Sequence, residues 1–256
     1  AQMKGYAEAD PTFDVEGIDA SHKLAILASI AFGMPLSLDG LYTDGITKLE
    51  PQDGSYAREL GYAIKHLGIA RKSSSGVELR VHPTLVPEQC LIAGVNDVSN
   101  AVMVNADSVG TTLFYGPGAG SEPTASAVIA DIVDVARTMD SYPDSWVPPL
   151  GIPSQSLQSL SIMNIEDVET GFYIRFSALD KPGVLSTVTT IMGDAGISIE
   201  AIIQRDQPAG ESYVNVIILT NVTKEKYLDE AVKHIEELDT VRGYVNFIRV
   251  EYLDQA

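Results

Sequence analysis

The chain has a single cysteine, Cys90, in 256 residues. It therefore forms no internal disulfide, and its fold rests on a packed core. With no leader-like opening segment, this composition suits a reducing cytoplasm. Positive charge is scarce: 17 Lys and Arg stand against 35 Asp and Glu, a formal net charge of -18. Such a surface repels phosphate backbones and anionic headgroups, so neither nucleic acid nor a membrane surface is expected as a partner. No apolar run approaches the length needed to span a bilayer. His22, His66, His82 and His234 lie scattered along the chain, without metal-ligand spacing to one another or to Cys90. They read as structural, and no metal is expected. Cys90 has no nucleophile signature around it.

What remains is a globular composition, 45% hydrophobic and 20% charged, long enough for one large domain or two ordinary ones. The opening AQMKGY has no initiator Met and reads as the interior of a longer polypeptide. A break falls at 141–170, where SYPDSWVPPL and GIPSQSLQSL carry four prolines, which favour an extended connection over a helix. Domains are accordingly expected over 1–140 and 171–256, with 141–170 as linker.

In the second domain Phe172, Ile174 and Phe176 alternate with Tyr173, Arg175 and Ser177, the period of a half-buried strand. After the turn DKPG, Val184, Leu185, Val188, Ile191 and Met192 follow at helical spacing, and Gly193 and Gly196 bracket the stop. Strands are predicted at 197–204, 213–220 and 244–251, with a hairpin loop at 207–211. Tyr227, Ala231, Ile235 and Leu238 mark a second helix, with Thr223 as its N-cap. The order βαββαβ is the ferredoxin-like unit. The first domain reads as α+β, a mixed sheet with helices on one face. A buried helix is predicted over 20–32, closed by Gly33. A second is predicted over 54–66, carrying Tyr62 and His66 as surface or core positions. A third spans 123–139, with an apolar stripe of Ala125, Val128, Ile129, Ile132, Val135 and Ala136. Strands are expected at 69–72, 77–81, 101–105 and 111–115.

The densest group of polar residues is GYAEADPTFDVEGIDASHK, with Glu8, Asp10, Asp14, Glu16, Asp19 and Lys23 in a short span. Asp19 and Lys23 stand four apart at a helix entrance and share a face. One reading is an N-cap Asp with a solvated ion pair. The other is a site, because the helix beyond Lys23 is apolar and several carboxylates face its mouth. GPGAG, with Gly116, Gly118 and Gly120, follows a strand and precedes a helix, as a dinucleotide fingerprint does. Its third glycine comes too early for GxGxxG and no second βαβ unit follows, so a free-standing nucleotide fold fails, and a tight strand-to-helix turn accounts equally well for each glycine. At Asp180-Lys181-Pro182-Gly183-Val184-Leu185, Asp180 is placed to cap the helix and Pro182 to fit its first turn. The helix start then offers free N–H groups to a carboxylate. A plain capped helix start is the alternative.

The span from Ala1 through Gly5, Tyr6, Asp10-Pro11, Asp14, Gly17 and Asp19 to Lys23 resembles the homoserine dehydrogenase signature. HPTLVP (82–87), the pair Asn100-Ala101 and GPGAGSEPTASAV (116–128) extend the resemblance over essentially the whole chain. The resemblance implies NADP- or NAD-dependent interconversion of homoserine and aspartate semialdehyde in threonine and methionine biosynthesis. Lys23 would be the general acid and base, with Asp19 holding its ammonium. Glu8 would take the substrate's amino group, with Asp14 assisting and Tyr6 lining the pocket. The nucleotide-binding domain and a second catalytic lysine would lie outside this chain, leaving it inactive alone. The 123–139 helix would return to that domain, and Gly116, Gly118 and Gly120 would touch the cofactor's edge. The turn at 180–185 is similar to the ligand turn of ACT domains, which implies an amino-acid effector, threonine foremost. It would be held by Asp180, Gly183, Val184, Leu185 and Gln204 in a homo-oligomer, dimer or tetramer. An amino-acid-sensing or oligomerisation module without catalysis is the alternative.

Overall fold

The computed structural model describes residues 10–139, 146–204 and 212–253. Glu8, Tyr6 and the hairpin loop at 207–211 lie outside them. After the short helix α1 (Thr12–Val15), Gly17 takes a left-handed φ of 77° and opens α2 (Ile18–Phe32), which Gly33 closes, also left-handed. A side chain at 17 is excluded twice. Its conformation disfavours L residues, and a Cβ would stand 2.8 Å from the His66 ring. The short strand β1 (Tyr42–Thr43) leads to α3 (Pro51–Glu59), whose entry is a capping box: the side chains of Glu50 and Asp53 each accept the other's backbone N–H.

The helix expected over 54–66 is corrected. It ends at Glu59, and Tyr62 and His66 belong to strand β2 (Tyr62–Ser73). Strand β2 pairs antiparallel along its whole length with β3 (Gly76–Pro87) across a two-residue turn, and this hairpin pairing overrides the local helical pattern. Strands β4 (Ser99–Ala106) and β5 (Gly110–Pro117) form a separate hairpin, followed by α4 (Ser121–Thr138). The connection from 146 on is not loose: Gln158 N–H donates to the Gly33 carbonyl, and Val77 exchanges backbone hydrogen bonds with Ser161 and Met163.

The C-terminal domain comprises β6 (Glu169–Leu179), α5 (Val184–Asp194), β7 (Ile199–Gln204), β8 (Tyr213–Thr220), the two-residue β9 (Thr223–Lys224), α6 (Glu225–Glu236) and β10 (Val241–Val250). Its sheet order, β10-β6-β8-β7, is ferredoxin-like. Thr223 does not cap α6; it pairs with β6, and Lys224 is the residue that enters the helix.

One sheet runs through both domains. Strand β3 uses one edge for β2 and the other for β1 and β10, both parallel to it, with Arg249 opposite Thr84 and Val250 opposite Leu85. Helices α5 and α6 bury Phe172, Ile174, Phe176 and Val216 on one face. The half-buried expectation for β6 is corrected, because α3 covers the opposite face. There Tyr173 and Ile217 pack with Ala57, and Arg175 is buried too. Cys90 is buried beside Val86 and Ala93.

Among the described residues, α2 and α4 keep apolar surface open. The expected burial of α2 holds for Leu24, Ala25 and Ala28, whereas Ile26, Leu27 and Ile30 are exposed. Helix α4 buries no residue, and Val128, Ile129, Ile132 and Val135 are each more than half exposed.

Candidate active site and amino-acid cavity

Helix α2 packs along β2, with Leu24 against Gly68. Lys23, one position before Leu24, lines a cleft of about 1280 Å³ between α2, β2 and the β4–β5 hairpin. Its Nζ pairs with Asp19 Oδ2 at 2.5 Å. The two side chains are 65% and 39% exposed, so the pair sits at an open mouth. Asp14 lies exposed on α1, outside the cleft lining. His66 lines the cleft while its Nε2 bonds the Asp44 carbonyl at 3.0 Å. The carbonyl only accepts, so Nε2 carries the proton.

Across the cleft stand Asn100 and Gly118. A Cβ at Gly118 would fall 1.2 Å from the Asn100 amide nitrogen, so glycine there is what admits that side chain. Gly120, at φ 124° and ψ 155°, holds a conformation open essentially to glycine alone and leads into α4 without a side-chain cap. Gly116 and Gly120 lie outside the cleft lining. The strands before this loop form an antiparallel hairpin. The residues present thus fit an edge contact to a dinucleotide and not its principal binding fold, which needs parallel βαβ units. Among the described residues no group of three or more His, Cys, Asp or Glu is placed to hold a metal ion, and no helix is long and apolar enough to cross a membrane.

The C-terminal domain has its own cavity, of about 160 Å³. Asp180, Gly183, Val184, Leu185 and Gln204 all line it, with Val214 and Val216 as its floor. Asp180 does not cap α5 and Pro182 lies before its first turn: Gly183, at φ 93°, is the N-cap, and no side chain accepts from the helix start. Asp180 instead accepts a hydrogen bond from Gln204 Nε2 at 3.1 Å, closing one side of the cavity. The Val184 N–H donates to the Lys181 carbonyl at 3.3 Å, and the N–H groups that follow it have no side-chain cap.

Sequence reasoning missed three features. Tyr252 and Leu253, at the end of the C-terminal domain, line the Lys23 cleft. Asp53 is fully buried against Tyr173, Arg175 and Asn246. Arg80, buried in β3, donates to Glu78 and to His82 Nε2. The only signal in sequence was the polar alternation Glu78, Arg80, His82, Thr84 in an otherwise apolar strand.

An α+β domain with a lysine–carboxylate pair at a cleft mouth, sharing its sheet with a ferredoxin-like domain that has a small cavity of its own, defines a two-domain α+β segment. Residues 1–133 match the homoserine dehydrogenase family and residues 172–240 match the ACT domain. The chain belongs to the homoserine dehydrogenase family. It is 55% identical over 254 residues to the homoserine dehydrogenase of Pseudomonas aeruginosa, covering 99% of this chain and 58% of that protein. It is 34% identical to the homoserine dehydrogenase of Bacillus subtilis, over 98% of this chain and 57% of that protein. The crystal structure of a homoserine dehydrogenase from Thiobacillus denitrificans superposes with a TM-score of 0.91 at 52% identity, covering 98% of this chain and 57% of that one. The chain thus spans less than two thirds of the length of the curated relatives it matches.

Proposed function

We propose that this chain is the substrate-binding and regulatory portion of a homoserine dehydrogenase, acting in the cytoplasm in threonine and methionine biosynthesis. The observation that carries the reading is Lys23, paired to Asp19 and facing a large cleft whose other wall holds Asn100 and Gly118. In reduction, charge develops on the aldehyde oxygen of aspartate semialdehyde, and Lys23 Nζ gives that oxygen a proton. In oxidation, neutral Lys23 accepts the hydroxyl proton of homoserine. Asp19 restrains the ammonium between the two roles. Glu8, outside the described residues, is the proposed partner of the substrate ammonium, with Asp14 assisting from outside the cleft lining and Tyr6 as a further proposed contact. When bound, NADP or NAD would supply or receive the hydride; Gly118 in the cleft lining, with Gly116 and Gly120 in the same loop, would meet its edge.

The open stripe of α4 and the exposed side of α2 support a further domain covering them, since contiguous apolar surface of this kind marks an interface. The small cavity binds an amino-acid effector, threonine foremost. Its carboxylate lies at the start of α5 and its polar side chain at Gln204. At about 160 Å³ the cavity is well below the roughly 300–1,000 Å³ of drug-sized sites, which suits a single amino acid. A second copy of the chain, in a dimer or tetramer, adds to the β7 edge beside it.

The experiment is a pair of titrations. The full-length protein carrying this chain oxidises homoserine with NADP or NAD, while residues 1–256 alone show no micromolar cofactor binding by fluorescence. Inactivity of the full-length protein contradicts the catalytic reading and leaves an amino-acid-sensing or oligomerisation module. Micromolar binding by the chain alone contradicts the edge-contact role of the glycine loop.

A further inference from the structure

Strand β10 has an end at each of the two cavities. Its first residue, Val241, pairs with Ala178, which lines the small cavity, and the Leu179 N–H donates to the Thr240 carbonyl at 2.8 Å. The strand is 10 residues long, roughly 30 Å at about 3.3 Å per residue. Beyond Val250 the chain continues as Glu251, Tyr252 and Leu253, and the last two line the Lys23 cleft.

This final turn is fixed by charge. Arg71, Glu78, Arg80 and Glu251 form a closed ring of ion pairs. Arg71 meets Glu78 at 3.5 Å and Glu251 at 3.0 Å. Arg80 meets Glu78 at 2.9 Å and Glu251 at 2.6 Å. Three members come from the β2–β3 hairpin of the first domain; the fourth is the residue that follows β10. Arg80 and Glu251 are almost wholly buried. With Glu251 neutral, two guanidiniums would share one carboxylate in a low-dielectric interior, and the ring would open at the C-terminal corner. Further contacts hold the turn: the Glu251 N–H donates to the Leu85 carbonyl at 2.9 Å and the Thr170 hydroxyl to Glu251 Oε1 at 3.4 Å. The Tyr252 hydroxyl lies 3.2 Å from that of Tyr62 and donates to Glu200 at 3.4 Å. Leu253 packs beside Val86 and Ala93.

We propose that Glu251 is a positioning residue for the cleft: through the ring it holds Tyr252 and Leu253 as a wall of the Lys23 site and makes occupancy of the small cavity felt in that wall. The proposal rests on reading the two cavities as substrate and effector sites. Linkage requires that an effector binding one arrangement of β10 better than another shift the wall by that difference and no more.

The test is amide hydrogen exchange of the full chain with and without saturating threonine, alongside calorimetry. It compares the wild type, Glu251→Gln and the milder Tyr252→Phe. Without ligand, exchange over 62–73 accelerates about tenfold in Glu251→Gln and less in Tyr252→Phe, while α5 and α6 keep their protection. Threonine protects 180–185 in all three. In the wild type it also changes exchange over 62–73; in Glu251→Gln that distant change disappears although threonine affinity stays within about twofold, an outcome that loss of general stability does not produce. Unchanged ligand-free exchange over 62–73 in both variants overturns the wall. A distant threonine effect absent from the wild type, or undiminished in Glu251→Gln, overturns the transmission. If threonine does not bind the wild type, the effector reading fails and transmission with it, while the ligand-free comparison decides the wall by itself. If Glu251→Gln does not fold, Tyr252→Phe decides the wall, and a threonine effect on 62–73 as large in it as in the wild type counts against transmission.

Discussion

Arg175 donates from Nε at 2.5 Å and from its second amino group at 3.3 Å to the carboxylate of Asp53, a residue 122 positions earlier and fully buried. The Tyr173 hydroxyl and the Asn246 amide donate to the same group. Helix α3 is thereby pinned to the face of the C-terminal sheet that lacks α5 and α6. Removing Asp53 alone leaves the buried guanidinium only the part-exposed Glu50, 3.0 Å from its second amino group, and leaves the Tyr173 hydroxyl without its acceptor, a loss of up to about 3–5 kcal/mol. Asp53→Ala therefore lowers the urea midpoint sharply. The double variant Asp53→Leu with Arg175→Met recovers most of the loss, because no lone charge remains. Equal stability of Asp53→Ala and the wild type would contradict the pin.

The imidazole of His82 is fixed in one tautomer. Arg80, which only donates, stands 2.9 Å from Nε2, so Nδ1 carries the proton and donates to the Pro83 carbonyl at 2.9 Å. Burial, then the charges of Arg249 and Arg80, hold its pKa well below the usual value, with His66 adding to the effect. The unfolded chain takes up a proton here near pH 6.5 and the folded chain does not. Stability from this group is therefore complete above about pH 6.5 and lost as pH falls below it, at about 1.4 kcal/mol per pH unit. Urea titrations between pH 7.5 and 5 measure that slope. His82→Asn flattens it by one proton; an unchanged slope would show that His82 is not its source.

Gln204 faces the small cavity across from the start of α5. Gln204→Ala weakens threonine about 3- to 10-fold in calorimetry, the loss of one hydrogen bond. It leaves isoleucine, which has no side-chain hydroxyl, within twofold of its wild-type affinity. Gly183→Val is a poor probe here, since φ 93° strains any L side chain and stability would fall with affinity. Equal loss for both ligands would remove Gln204 from side-chain recognition.

Local pattern carried much of the fold. The alternation at Phe172, Ile174 and Phe176 and the glycine after Phe32 marked β6 and the end of α2, because those signals lie within a few residues. Apart from the helix entries at Asp180 and Thr223, the failures trace to packing partners on other elements. Tyr62 and His66 read as helix because β2 is decided by its partner β3, not by its own spacing. Arg175 read as solvent-facing because its cover, α3, lies far off in sequence. Of the expected site, Asp19 stands beside Lys23, and Asp180, Gly183, Val184 and Leu185 meet Gln204, on a strand further along the chain, around the small cavity. The contribution of Tyr252 and Leu253 to the cleft depends on a sheet shared by two domains, which no local signal announces.

In the proposed reaction Lys23 moves the proton. An exposed pair at this helical spacing contributes only about 0.3–0.5 kcal/mol to stability. Loss of a general acid costs about 10²–10⁴ in rate, or roughly 2.7–5.5 kcal/mol of barrier. The two roles therefore separate in one measurement, homoserine oxidation by the Lys23→Ala form of the full-length protein with its melting temperature recorded beside it. With Lys23 as the general acid, turnover falls at least a hundredfold at an essentially unchanged melting temperature. Turnover within a few-fold of the wild type, with a lowered melting temperature, would make Lys23 half of a surface ion pair and contradict it.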